Sequence, residues 1–251
     1  MNTNDDTSTT SKEVIENVEV GAGMVKGHQM MINYGQKIGS LSEGDHHQSV
    51  MMEITSKCCL PDHHRYDWFM SAVYLMTSGD KALTMDILKL LPNMFVAPFV
   101  WHRHGANKYG STFQLKTLGF GVELILESEQ PAIFSILNVK KFPLCVVLDI
   151  WLRQCFINIL DLKEVEHYIL FSLIYGPDYI IYFCVSILCH IKDTIINHED
   201  FNINLYQKLI TTQIFGFHSG DYLPFMDKLS NKYRTTLMPF FTDVLNDSSN
   251  E

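Results

Sequence analysis

Residues 143–190 read PLCVVLDIWLRQCFINILDLKEVEHYILFSLIYGPDYIIYFCVSILCH. Leu144–Leu160 predicts a long helix, with Asp149, Arg153 and Asn158 marking its outer face. Asp161, followed three residues later by Glu164, has the form of a capping box opening a helix over Lys163–Tyr175. Gly176-Pro177-Asp178 then stops and restarts the chain, with Asp178 as the next cap. Tyr179–Ile191 is apolar on every face, the pattern of a helix buried at the centre of a helical domain. Tyr168–Ile191 is also long and apolar enough to raise the question of a membrane span. The break at Gly176-Pro177-Asp178 argues against one, since it would put a helix stop and a charge at the bilayer centre. Two buried helices are expected, and no membrane span.

Outward from this stretch, helical spacing continues. Arg65–Met76 carries Phe69, Val73 and Met76 on one face and ends at Ser78-Gly79-Asp80. Lys81–Leu91 predicts a second helix stopped by Pro92, and Asn93–Gly110 reads as an irregular connection. Phe113–Glu127 and Ala132–Leu137 follow, then a turn at Lys140–Pro143. Phe201–Phe215 and Tyr222–Leu245 supply the last helices. Alternation of period two is scarce and no repeat is visible, so the fold class is all-α. Residues 1 to about 48 are rich in Asn, Asp, Ser, Thr, Gly and His and read as a mostly disordered leader. The helical domain is placed at 50–245 and a polar tail at 246–251.

Composition limits the functions. The chain has 251 residues, 47% of them hydrophobic, enough for a sizeable core. Nineteen basic against 28 acidic residues give a net charge of −9, and the short basic runs at His102-Arg103-His104 and Lys140-Lys141 do not form a nucleic-acid groove. No nucleic-acid partner is expected. Six cysteines, four of them in apolar segments, and an N-terminus without an apolar core point to a reducing, cytoplasmic setting.

Tyr66-Asp67-Trp68-Phe69-Met70, then Gly79-Asp80, then the helix from Lys81, resembles a segment of the TBC domain, the helical fold that switches off Rab GTPases. There a Tyr-x-Gln-Gly-Met motif carries a catalytic glutamine at the start of an apolar helix. Tyr66 and Met70 match, but Trp68 stands where the resemblance places the glutamine. An indole offers one donor and no acceptor, so it cannot both orient a nucleophilic water and bind the phosphate as an amide can. The family's arginine finger lies in an Ile-x-x-Asp-x-x-Arg motif N-terminal to the glutamine. The four arginines stand at 65, 103, 153 and 234, and none precedes Arg65. Lysines at 12, 26, 37 and 57 lack the planar fork that spans two phosphate oxygens. Val146–Arg153 has Asp to Arg four apart instead of three, so Arg153 reads as an ion-paired or solvated face. Further likeness is structural: Phe142-Pro143 before an apolar helix, Trp151–Phe156 as its hydrophobic centre, and Ile174-Tyr175-Gly176 before the core helix. It covers about 60–200 and is strongest from 129 onward; the N-terminal third of a standard domain is expected to be absent.

RYDWFMSAVYLM and LIYGPDYIIYFCVSILCHI are similar to a divergent ciliary member of that family. The resemblance implies a catalytically inactive interaction module, not an enzyme, acting as an adaptor in cilium assembly and developmental (Hedgehog-type) signalling. Its partners would be proteins, such as a ciliary kinase or a Rab-like small GTPase, and its location the cytoplasm, at the cilium or ciliary base. The alternatives are an active Rab GTPase activator that borrows an arginine, and an unrelated helical scaffold. Cys58-Cys59 with His63-His64, and His102 with His104, offer zinc-ligand types, but adjacent cysteines are not a C-x2-C clip, so no metal is assigned. No Cys–His hydrolase signature is present. Gly119-Phe120-Gly121 lacks the third glycine and the strand of a dinucleotide fingerprint, so no cofactor is expected.

Overall fold

The structure, a computed structural model, describes residues 23–58, 66–101, 110–197 and 203–249. It divides into two compact units, Met1–Lys89 and Leu90–Glu251. Among the described residues there are helices and no strand, so the all-α expectation holds.

In the first unit, helix α1 spans residues 23–37 and α2 spans His46–Cys58. Much of the stretch read as a mostly disordered leader is therefore folded; residues 1–22 lie outside the described residues. The buried stripe of α1 is Gly27, His28, Met31, Ile32 and Gly35, a helical spacing hidden in residue types that count as polar or flexible by composition. The glycines have a mechanical reason. A Cβ on Gly27 would enter the ring of Tyr66, and one on Gly35 would strike the side chains of Leu75 and Leu41. Helix α3, Trp68–Met76, is buried from Phe69 to Leu75. It ends in Ser78 and Gly79, both at positive φ, before α4, Lys81–Leu90.

The second unit is built around α10, Asp178–His190, in which every residue from Asp178 to Leu188 is buried. Three helices pack on it: α6 (Gly110–Glu129), α9 (Leu162–Tyr175) and α13 (Ser219–Ser249). Buried Leu115, Leu118, Val122, Ile125 and Leu126 form the stripe of α6, and Met226, Leu229, Tyr233, Leu237 and Phe241 that of α13. A Cβ on Gly121 would collide with Ile181, so α6 meets α10 with backbone close to side chain. Shorter helices complete the unit: α5 (Ala97–Val100), α7 (Pro131–Val139), α8 (Leu144–Arg153), α11 (Lys192–Ile196) and α12 (Ile203–Thr211). α13 continues through Ser249, into residues 246–251 read as a polar tail.

Three local readings are corrected. Asp178, expected as a cap, is the first residue of α10, whose N-cap Pro177 makes no side-chain bond. The helix expected to reach Leu160 ends at Arg153, because Cys155, Phe156, Ile157, Ile159 and Leu160 are all buried, and a continued helix would turn some of them outward. The chain instead passes through positive φ at Cys155, Phe156 and Asn158, a conformation that costs on the order of 1–3 kcal/mol per residue and persists where packing imposes it. The capping box at Asp161 is not made: Asp161 forms no side-chain cap bond. Its expected partner Glu164 accepts instead from the backbone N–H of Ser219, 2.9 Å away at the start of α13.

Phe156, Tyr168 and Phe183 form a triangle of rings with centroids 4.8–5.5 Å apart, and Phe217 closes on Phe183 at 5.5 Å. Truncating Phe183 to Ala should cost about 3–5 kcal/mol. Chemical denaturation measures this, and a variant that unfolds at the parent's midpoint would contradict the central placement of α10.

Candidate functional site

The segment singled out by sequence, Tyr66–Met70, forms the N-terminal approach to α3. Asp67 is its N-cap, and its Oδ1 accepts from the Met70 backbone N–H at 2.9 Å, which satisfies one orphan donor of the first turn. Phe69 and Met70 are buried. Trp68 is the first helical residue and is half-buried, its ring edge-on to Tyr66 at 5.0 Å. The Tyr66 hydroxyl meets Ser71 Oγ at 2.6 Å. The motif is thus a tightly held helix start with an indole at its partly open face.

Two buried histidines that sequence reasoning missed hold this helix. His28 on α1 lies edge-on to the Tyr66 ring at 5.4 Å, its Nε2 is 3.2 Å from Thr55 Oγ1, and its Nδ1 has no partner. Burial lowers its pKa below the ordinary 6.5, with Asp67 pulling the other way. His47 on α2 contacts the Tyr74 hydroxyl through Nδ1 at 2.7 Å and the Ser42 carbonyl through Nε2 at 3.0 Å. Its pKa is also lowered, first by burial, against the Ser42 hydrogen bond and with help from His46. The signal that could have found them is their position: His28 falls on the α1 stripe with Met31 and Ile32, and His47 on the α2 stripe with Met51 and Ile54. At the same unit's surface Glu53 bridges Lys57 and Lys81, and their hydrogen bonds hold its carboxyl down to about 2.

The arginines in the described residues are both engaged. Arg153 Nε pairs with Asp149 at 2.8 Å. Arg234 Nη1 reaches the Tyr175 carbonyl at 2.9 Å and the fully buried Asp178 at 3.3 Å. Arg65 and Arg103 lie outside the described residues, as do Cys59, His63, His64, His102 and His104. Among the described residues no three His, Cys, Asp or Glu side chains come together in a metal-binding arrangement.

One cluster has the composition of a hydrolase. His167 Nδ1 meets Ser219 Oγ at 2.8 Å and Glu164 Oε2 at 3.4 Å, and His218 Nδ1 stands 3.7 Å from Glu164 Oε1. A triad needs opposite ring nitrogens for nucleophile and acid, whereas here one nitrogen serves both. With Ser219 buried and its N–H bonded to Glu164, the cluster is a cap on α13. The thiols are no better placed as nucleophiles. Burial raises Cys184, raises Cys189 to about 11 against the pull of Lys192, and raises Cys58 against Lys89 and Lys57.

A family profile described as the broad-minded protein Rab TBC domain matches residues 25–244. The chain belongs to this TBC family. The match begins in α1, within the stretch read as leader. The chain is 26% identical to mouse protein broad-minded over 254 residues, covering 89% of this chain and 19% of the relative. It is 29% identical to the zebrafish protein broad-minded over 211 residues, covering 79% of this chain and 16% of the relative. It therefore spans less than a fifth of either relative's length. No solved structure matches. Among the described residues no helix is long and apolar enough to cross a membrane; the sequence's candidate span is divided between α9 and α10 at Gly176, which has φ of 114°.

The two histidines give a pH dependence with a definite sign. Both have folded pKa values below the unfolded 6.5, so protonation favours the unfolded state. Their stabilisation is complete above about pH 6.5 and is lost as pH falls through 6.5 toward the folded values. The Glu53 contribution has the same sign but lies in the window from 4.5 down to about 2. Denaturation series from about pH 8 to pH 5 should show falling stability below about 6.5, with a smaller slope in His28→Gln. A flat profile over that range would contradict the neutral, buried assignment.

Proposed function

We propose that the chain is a catalytically inactive TBC-family module that binds protein partners. The observation that carries the reading is Trp68 at the position the family resemblance gives to the catalytic glutamine, at the start of α3 beside the capping Asp67. Catalysed GTP hydrolysis needs a group that orients the attacking water and a cation that balances charge on the transferred phosphoryl group. An indole N–H cannot accept a proton from that water. Arg153 and Arg234 are committed to Asp149 and Asp178, and releasing Arg234 would strand a buried carboxylate.

On this reading the module is an adaptor, and the resemblance gives it a place in cilium assembly and Hedgehog-type developmental signalling, at the cilium or ciliary base. Partners of the expected kinds are a ciliary kinase or a Rab-like small GTPase held without acceleration of hydrolysis. The description of the matching family as a Rab TBC domain favours the second reading, an active Rab activator with its arginine supplied from elsewhere.

Single-turnover GTP hydrolysis across a Rab panel separates the two. Stimulation should stay at background, whereas an arginine finger alone is worth about 10³–10⁵ in rate. A stimulation above about a hundredfold on any Rab would establish the activator reading. Trp68→Gln should also stay at background, because it returns the amide and not the cation. A substantial gain from this one change would show that a basic group already occupies the second position.

A further inference from the structure

The second unit contains a cleft of about 180 Å³ between the α10–α11 junction, α12 and the loop after it. Its apolar lining is Ile191, Leu209 and Ile214, all with little exposure. Lys208, Thr194 and Thr212 also line it. None of these three side chains has a hydrogen-bond or ion-pair partner among the described residues. Phe215, 73% exposed, stands at the lip.

The walls are fixed by bonds made elsewhere. Trp151 Nε1 donates to the Leu209 carbonyl at 2.8 Å, and the Ile214 N–H donates to Ile159 O at 2.7 Å. His190 Nε2 is 3.0 Å from the Phe215 carbonyl and its Nδ1 is 3.3 Å from the Tyr222 hydroxyl, so both ring nitrogens are occupied and His190 serves as a wall. Gln213 is held by Asp161. The walls are therefore pre-formed, and binding has to order only the exposed Lys208 and Thr212 side chains and the half-buried Thr194.

The chemistry of the lining selects the ligand. One cation matches one negative charge, and in a chain of net charge −9 a doubly charged phosphate would lack its second counter-charge. Lys208 and Thr212 stand four residues apart at the end of α12, with the Thr212 N–H bonded to the Lys208 carbonyl, and Thr194 lines the same cleft, so one ammonium and two hydroxyls are available as donors to a carboxylate. The aliphatic lining takes an alkyl group of side-chain size. We propose that this cleft binds an aliphatic carboxylate, held by Lys208, Thr194 and Thr212 with its alkyl group on Ile191, Leu209 and Ile214. Two sources have this chemistry: the C-terminal aliphatic residue of a partner polypeptide and a free aliphatic acid.

The test is a titration of the full chain, ¹⁵N-labelled, with N-acetyl-L-leucine and separately with octanoate, following the amides of Thr194, Thr212 and Ile214. Saturable shifts with a Kd on the order of millimolar are expected for at least one acid. N-acetyl-leucinamide, which lacks the charge, should bind about tenfold more weakly than N-acetyl-leucine or not at all. Lys208→Met keeps the apolar stem and should weaken the acids by about tenfold. Tighter binding of N-acetyl-leucine would assign a polypeptide C-terminus, and tighter binding of octanoate a free acid. The proposal is overturned if neither acid gives a saturable shift, if the amide binds as well as the acid, or if inorganic phosphate binds more tightly than both. Unchanged affinity in a Lys208→Met chain that melts like the parent would also overturn it. If that variant melts lower, the acid-against-amide comparison on the unaltered chain decides.

Discussion

The second unit depends on covering a helix that has no polar face. From Asp178 to Leu188 α10 has no exposed residue, so every side of it requires another helix, and α6, α9 and α13 supply them. The surrounding features are consequences of that enclosure. Gly121 lets α6 approach Ile181, and Gly176 at φ 114° turns the chain from α9 into α10. Asp178, drawn into the interior with the helix, has its pKa raised by burial, and the Arg234 guanidinium opposes that rise. A charge taken out of water is tolerable only when paired. Arg234 is thereby a structural residue, and the polar link ties α13 to the turn between α9 and α10.

The first unit reaches close packing by different means. Its α1 presents Gly27 and His28 to Tyr66 just before α3, and Gly35 to Leu75 within it, where a conventional core helix would present leucines. The glycines admit Tyr66 and Leu75, His28 lays its ring edge-on to Tyr66, and His47 bonds the Tyr74 hydroxyl. A neutral imidazole can donate and accept at once: His47 uses both nitrogens, toward the Ser42 carbonyl and the Tyr74 hydroxyl, whereas His28 uses only Nε2. Their lowered pKa values are the basis of the acid sensitivity expected of the unit that contains Trp68.

Periodicity made part of this fold legible in the sequence. The enclosed α10 and the break at Gly176 are properties of short windows, and Trp151, Phe156, Phe183 and Leu188 are all buried in the structure; α3 was legible as a helix, but it is buried from Phe69 to Leu75 and not on one face alone. Features that depend on distant partners were not legible. Glu164 reads locally as a capping-box acid, but Ser219, far along the chain, claims it. The α8 helix stops early because burial of five near-consecutive residues outweighs local propensity. The α1 stripe escaped because Gly and His are scored by composition as loop residues, while two glycines in contact with Tyr66 and Leu75 act as core. At the candidate site Trp68 stands out only through the family resemblance; the histidines that secure α3 needed the fold.

Catalysis by a TBC-type module is a matter of differential binding. An enzyme that accelerates hydrolysis must hold the transition state more tightly than the ground state, while a partner that merely binds need not distinguish them. The direct measurement is the affinity of the full chain for Rab proteins loaded with GDP, with and without aluminium fluoride, which mimics the transferred phosphoryl group. An inactive module should show equal affinity, or equal absence of binding, in the two states. A gain of about tenfold or more with aluminium fluoride, equivalent to about 1.4 kcal/mol of transition-state preference, would contradict it.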